Sequence, residues 1–152
     1  MISIFNRSHY EDVLVVRVDN LAPEAIWRQR YEQINHFEKL LAETGTTILK
    51  FYLHISPKEQ RKRFQDRIDD AEKHWKFSFE DLEKRKQWDA YMDAYTDALN
   101  RCNTPWAPWY VIPADQKWYR NLAVARILVC HLRELNPAFP PAEGDLSNIE
   151  FT

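Results

Sequence analysis

Glycine is almost missing from this 152-residue chain: Gly45 and Gly144 are the only two. That excludes a G-x-x-x-x-G-K loop, whose closely spaced glycines let backbone N–H groups wrap a phosphate chain. Cysteine is as scarce, with only Cys102 and Cys130. Two cysteines so far apart make neither a metal knuckle nor a disulfide framework, and both read as small buried hydrophobes in a protein of the reducing cytosol. No apolar run reaches the roughly 18–20 residues of a membrane helix, and no leader pattern precedes Ile4, so a soluble, cytoplasmic protein is expected. A field of one sign is lacking too, since 21 basic and 23 acidic residues leave a formal net charge of −2. Bulk attraction to nucleic acid or to an anionic membrane is therefore not expected, and any anion site must be local.

What is present alternates between strand and helix. Residues 1–5 read as a short strand ending at the polar cluster Asn6-Arg7-Ser8-His9, where functional side chains often sit. The β-branched run 13–18 is read as helix passing into loop. From Pro23 the stripe Trp27, Tyr31, Ile34, Phe37 or Glu38, and Leu41 predicts a helix stopped by Gly45. Residues 46–55 are nearly continuous and β-rich, the pattern of a strand covered on both faces.

Ser56-Pro-Lys-Glu59 is a capping box with proline at the first helical position, and it opens a helix rich in Lys and Arg. A similar start at Ser78 opens a longer helix with the stripe Trp88, Tyr91, Met92, Tyr95 and Leu99. The two form a helical hairpin inserted between strands. A third strand is predicted at Trp109–Ile112, closed by Pro113. A last helix follows from about Gln116 to Leu135, with Trp118, Leu122, Ala125, Val129, Leu132 and Leu135 on one face and Trp118 as its core anchor. The alternation predicts one three-layer α/β/α domain around a thin parallel sheet of three strands.

Three segments resemble the polyphosphate kinase 2 family. They are Ile4-Phe-Asn-Arg-Ser-His-Tyr-Glu-Asp-Val-Leu14; Asp70-Ala-Glu-Lys-His-Trp-Lys-Phe-Ser78 with Trp88-Asp-Ala-Tyr91; and Ala107-Pro-Trp-Tyr-Val-Ile-Pro-Ala-Asp-Gln-Lys-Trp-Tyr-Arg-Asn121. The resemblance runs to about Phe139 and covers only the family's C-terminal half, whose glycine loop lies upstream. It implies a partial P-loop-kinase-like domain over residues 1–139, a lid at about 57–102 and a tail over 140–152. The implied activity is phosphoryl transfer between inorganic polyphosphate and a nucleoside mono- or diphosphate, AMP or ADP, with Mg²⁺ as cofactor and a dimer or tetramer as the assembly. The alternative is a non-catalytic fragment or pseudoenzyme that keeps the lid and the oligomer surface.

Phosphoryl transfer depends on cations placed around phosphate oxygens whose charge redistributes in the transition state. Arg7 suits a bidentate phosphate contact, and Asn6 can orient a phosphate oxygen or a metal-bound water without adding charge. Read without the resemblance, both simply cap the next helix. Arg63 and Arg67 share a helical face, and Lys73 and Lys76 follow in the connector. On spacing alone these cations are a solvated face offset by nearby carboxylates; the resemblance makes them polyphosphate ligands, but leaves Lys84-Arg-Lys86 as solvated surface. Asp89 is read either as positioning a lid arginine or as a plain surface carboxylate. Asp115, Lys117 and Arg120 lie just past the third strand, where open parallel sheets bind ligands, and Lys117 and Arg120 are expected at phosphates. Tyr10 fits a nucleotide contact or core packing equally. None of the five histidines has metal-ligand spacing, so no metal ligand is assigned.

Overall fold

The computed structural model describes residues 2–141, 143 and 144. After an irregular start, a 3-10 turn at His9–Val13 leads into the short helix α1, Val15–Val18. The long helix α2, Glu24–Glu43, begins after Pro23 and ends where its sequence predicts. Gly45 takes a φ of 90°, and its N–H donates to Ala42 O while the Thr46 N–H donates to Leu41 O. This Schellman pairing needs a left-handed residue, which glycine supplies without strain. Strand β1, Lys50–His54, then lies parallel to β2, Trp109–Pro113, in the register Leu53 to Ile112.

Between these strands the chain makes α3, Pro57–Ile68, a 3-10 turn at Ala71–Lys76, α4, Phe79–Lys86, and α5, Trp88–Arg101. Ser56 caps α3 as expected, its hydroxyl accepting from the Glu59 N–H at 3.1 Å. The Ser78 hydroxyl does the same for Glu80 N–H at 3.2 Å. The longer helix predicted from Ser78 is in fact two helices, broken by a turn at Gln87. The two halves have different jobs: α4 has no buried residue, whereas α5 puts Ala94 and Ala98 in the core.

That core gathers Tyr10, Val13, Leu14, Trp27, Tyr31, Ile34, Ala94, Ala98 and Cys102. Burying a side chain such as Ile34 contributes about 1.5–3 kcal/mol relative to leaving it in water. It lies on the sheet face reached by Lys50 and Trp109. The other face is reached by α6, Lys117–Leu135, through the Tyr110 hydroxyl and His131 Nε2, 3.2 Å apart. The result is an α/β arrangement with helices on both faces of a parallel sheet.

Several expectations need correction. The predicted strand at residues 1–5 does not form over the described part: Ile2 to Phe5 is irregular and exposed, because no neighbouring strand offers hydrogen bonds. Among the described residues the sheet therefore has two strands and not three. β1 is not covered on both faces along its length, since Leu53 is exposed. Trp118 does not anchor α6. It is 66% exposed, and the less exposed positions of the helix are Arg120, Ala123, Val124, Ile127 and His131. Cys102 is buried but Cys130 is exposed. Most of the tail expected over 140–152 lies outside the described residues. No described helix is long and apolar enough to cross a membrane.

Candidate functional site

Two sets of charges dominate, and they are held in opposite ways. The first is buried. Lys50, the only charged residue of the β-rich run up to Leu53, donates from Nζ to Glu38 Oε2 at 2.6 Å, Tyr10 Oη at 2.7 Å and Cys102 O at 2.8 Å. The three N–H bonds of an ammonium thus meet three acceptors, and the Tyr10 and Trp109 rings each stand 5.1 Å from Nζ. Glu38 is fully buried and its other oxygen meets His9 Nε2 at 3.2 Å. Burial pushes the Glu38 carboxyl up, but hydrogen bonds from His9 and Lys50 and the Lys50 charge outweigh it and hold the group below its ordinary value. Burial lowers Lys50 against the pull of Glu38. The network ties α2 and β1 to the His9–Val13 turn, and so fixes where Asn6 and Arg7 emerge.

Tyr10, expected at a nucleotide or in the core, is in the core: it is 3% exposed, and its hydroxyl is spent on Lys50. Burial pushes that hydroxyl well above its usual range. Asn6 and Arg7 are exposed just before the turn. Arg7 has a φ of 74°, a left-handed conformation that costs a non-glycine residue roughly 1–3 kcal/mol and recurs at ligand sites. Its Nε lies 3.7 Å from Glu11 Oε1.

The second set surrounds a cleft of about 290 Å³ between α3 and α4, lined by Ile55, Gln60, Arg63, Phe64, Arg67, Asp81 and Lys84. Arg63 donates from Nε to Glu59 Oε1 at 2.8 Å and from Nη2 to Ala114 O at 2.7 Å. Asp115 accepts from the Ser56 N–H at 2.7 Å, which is the first cause holding its carboxyl below the ordinary value. Through Arg63 and Asp115 the start of α3 is pinned to the carboxyl end of β2, the edge at which parallel sheets receive ligands. Arg67 is held more loosely. Its Nη1 is 3.5 Å from Asp81 Oδ2 and 3.3 Å from Lys76 O. Lys84, from the run read as solvated surface, pairs with Asp19 at the end of α1.

The cleft unites Arg63 and Arg67 but not the other expected residues. Lys73 pairs with Asp70 at 2.6 Å, and Lys76 stands 4.8 Å from the exposed Trp75 ring. Asp89 is exposed in the first turn of α5. Lys117 is exposed at the start of α6, and Arg120 donates from Nε and Nη2 to the Asn121 side chain. Sequence reasoning missed Lys84 and the Lys50–Glu38 pair. For the pair a signal existed: a glutamate on the apolar stripe of α2 and a lone lysine in a buried strand. No group of three or more potential metal ligands occurs among the described residues.

A cation-lined cleft beside the carboxyl end of a parallel sheet with helices on both faces marks an α/β protein, and comparison with known proteins puts it in the P-loop-kinase-like class. The chain matches the sequence model of the family described as Polyphosphate kinase 2 (PPK2) over residues 1–140, and it belongs to that family. It is 57% identical over 140 residues to the AMP/ADP-polyphosphate phosphotransferase of Meiothermus ruber, a match covering 92% of this chain and 52% of the relative. To the ADP-polyphosphate phosphotransferase of Rhodopseudomonas palustris it is 45% identical, covering 91% of this chain and 52% of the relative. Its fold matches the crystal structure of polyphosphate kinase 2 from Arthrobacter aurescens with a TM-score of 0.87 and 48% identity, covering 93% of this chain and 50% of that one. The chain thus spans about half the length of these relatives.

Proposed function

We propose that this chain is the lid-bearing half of a polyphosphate-dependent nucleotide kinase, which moves a phosphoryl group between inorganic polyphosphate and AMP or ADP. The observation that carries the reading is the convergence of Arg63, Arg67 and Lys84 from two helices on one cleft. Each of these cations rests on a carboxylate, Glu59, Asp81 or Asp19. A polyanion can exchange most readily with the Arg67–Asp81 pair, the most open of the three, since a solvent-accessible pair is worth about 0–1 kcal/mol.

In this reading α3, the 71–76 turn and α4 form the lid, a narrower span than 57–102 because α5 belongs to the core. Arg67 and Lys84 hold polyphosphate oxygens, and Arg63 aligns the lid over the strand ends while its free edge faces phosphate. Lys73 and Lys76 extend the same track along the connector, with Asp89 behind it. Asn6 and Arg7, outside the cleft lining, meet the transferred group, and Lys117 and Arg120 receive acceptor phosphates at the mouth. Catalysis is by position and charge: fixed guanidinium groups stabilise oxygens that gain charge as the phosphoryl group moves. Mg²⁺ is the proposed cofactor, but the donor groups described here do not form a cradle for it, so none of these roles runs through the metal. The active assembly is a cytoplasmic dimer or tetramer.

One observation favours a second reading, a non-catalytic fragment or pseudoenzyme: with Gly45 and Gly144 as its only glycines, this chain carries no loop to wrap the donor phosphates. ATP formation from ADP, Mg²⁺ and polyphosphate by the purified chain, with Arg7→Ala as control, separates the two. Activity that vanishes in the control supports a working site; a folded chain without activity both alone and with the rest of a polyphosphate kinase 2 domain supplied supports the second reading.

A further inference from the structure

Successive side chains of a strand point to opposite faces, so Lys50, Tyr52 and His54 share one face of β1. They leave the core in that order: Lys50 is buried, Tyr52 half-buried and His54 exposed. Lys50 is spent on Glu38, Tyr10 and the Cys102 carbonyl. His54 ends the strand on its carboxyl side, and its backbone is clamped there. Its carbonyl accepts from the Ala114 N–H at 2.7 Å, while the carbonyl of the same buried Ala114 accepts from Arg63 Nη2 at 2.7 Å. One residue past the end of β2 thus anchors both His54 and Arg63. On the inner side the Tyr52 ring stacks on Tyr95, 4.5 Å between centroids. Burial raises the Tyr95 hydroxyl most, and the charges of Glu11 and Arg7 also act on it. The row His54, Tyr52, Tyr95 therefore runs from the Arg63 end of the site toward Arg7.

The imidazole of His54 is oriented as well. Its Nδ1 lies 3.1 Å from the Tyr52 hydroxyl. The only other partner of that hydroxyl among the described residues is Met92 Sδ at 3.6 Å, and a thioether is a weak acceptor, so the hydroxyl proton goes to Nδ1. Burial pushes Tyr52 up to about 12, which keeps the proton in place at any working pH. A neutral imidazole whose Nδ1 accepts carries its hydrogen on Nε2. Among the described residues nothing takes that hydrogen; Asp115, which follows Ala114, is bonded to the Ser56 N–H instead. We infer that His54 is a further ligand for a phosphate oxygen at this edge, donating from Nε2–H beside Arg63, with Tyr52 as the positioning residue that fixes its tautomer. Unlike Arg63, Arg67 and Lys84, it has no carboxylate to give up before it meets phosphate. The inference rests on reading this edge as a phosphate site, and the oxygen belongs either to polyphosphate or to the nucleotide.

The test is calorimetric titration of polyphosphate, and separately of ADP, into the full chain and its variants. Glutamine places an amide N–H where Nε2–H stands, whereas asparagine reaches only the Nδ1 position and the Tyr52 hydroxyl. His54→Gln should therefore bind within about twofold of the parent, while His54→Ala and His54→Asn each weaken at least one of the two ligands by about tenfold, with melting unchanged in all three. Tyr52→Phe keeps the ring on Tyr95; it should weaken the same ligand by about two- to threefold and, in heteronuclear NMR of the His54 ring, populate the Nδ1–H tautomer. Loss with polyphosphate alone places His54 at the donor, and loss with ADP alone at the acceptor. Parent-like binding by His54→Ala would overturn the inference and leave the phosphate site standing, as would parent-like binding by His54→Asn with loss in His54→Gln. A folded parent chain that binds neither ligand would overturn both.

Discussion

Lys50 and Arg67 carry the same charge, and the difference between their surroundings separates architecture from function in this molecule. Lys50 is 7% exposed and satisfied on every side by a carboxylate, a phenol and a backbone carbonyl. Such a group has nothing to offer a ligand, and its removal leaves a buried anion. Arg67 is a third exposed and leans on one carboxylate at 3.5 Å, a partner that any phosphate oxygen can replace. Charge near a cleft is thus informative only together with what already holds it.

The contrast is broken most severely at its buried end. Lys50→Ala should lower folding stability by about 3–5 kcal/mol, because Glu38 then loses its ammonium partner and keeps only His9 against a charge buried in the core. Urea denaturation checks this, and the double variant Lys50→Met with Glu38→Leu should recover most of the loss, since the apolar pair replaces the ionic one without stranding a charge. A single variant as stable as the parent would mean that the pair does not hold the fold together.

At the exposed end the signs reverse. In a complete two-half protein, Arg7→Ala and Arg67→Ala should each cost about 10²-fold or more in phosphotransfer rate while melting stays within a degree or two. Arg63→Ala should do both, slowing transfer and costing about 1–3 kcal/mol through its lost bond to the Ala114 carbonyl. If Arg67→Ala unfolds the protein and spares the rate, the comparison drawn above is inverted.

Acid sharpens the same comparison. Glu38 is held below its ordinary value of 4.5 in the folded chain, so the unfolded chain binds the proton more tightly. Its contribution to stability is complete above that ordinary value and is lost as pH falls through the lower folded value. Stability measured by urea titration should therefore fall below about pH 4.5, and Glu38→Gln should flatten this acid limb while lowering stability at neutral pH. The smallest effect is expected at Lys86, whose pair with Glu83 is 70% exposed on both sides; Lys86→Ala should change stability by under about 0.5 kcal/mol and leave polyphosphate binding intact.

Much of the fold was legible in the sequence because it rests on local rules. The Ser56 and Ser78 caps, the Gly45 stop and the β-rich run that becomes β1 announce their elements without reference to the rest of the chain. What failed depended on partners. Residues 1–5 have strand-like composition, but a strand exists only with a neighbour. The α6 stripe with Trp118 is a genuine apolar face, yet the helix presents its other side to β2. At the site, helical spacing put Arg63 and Arg67 on one face but only the resemblance singled them out as ligands, whereas Lys84 was missed because its run looks like any solvated one. Only the approach of α4 to α1 and α3 distinguishes it.

The account's central claim is that the cleft cations take up a polyanion by exchanging their carboxylate partners for phosphate oxygens. Calorimetric titration of polyphosphate into the folded chain, compared with Arg67→Ala and Lys84→Ala at two salt concentrations, tests it most directly. The account predicts binding that weakens with salt and falls at least about tenfold in each variant. Equal affinity in the parent and both variants would contradict it.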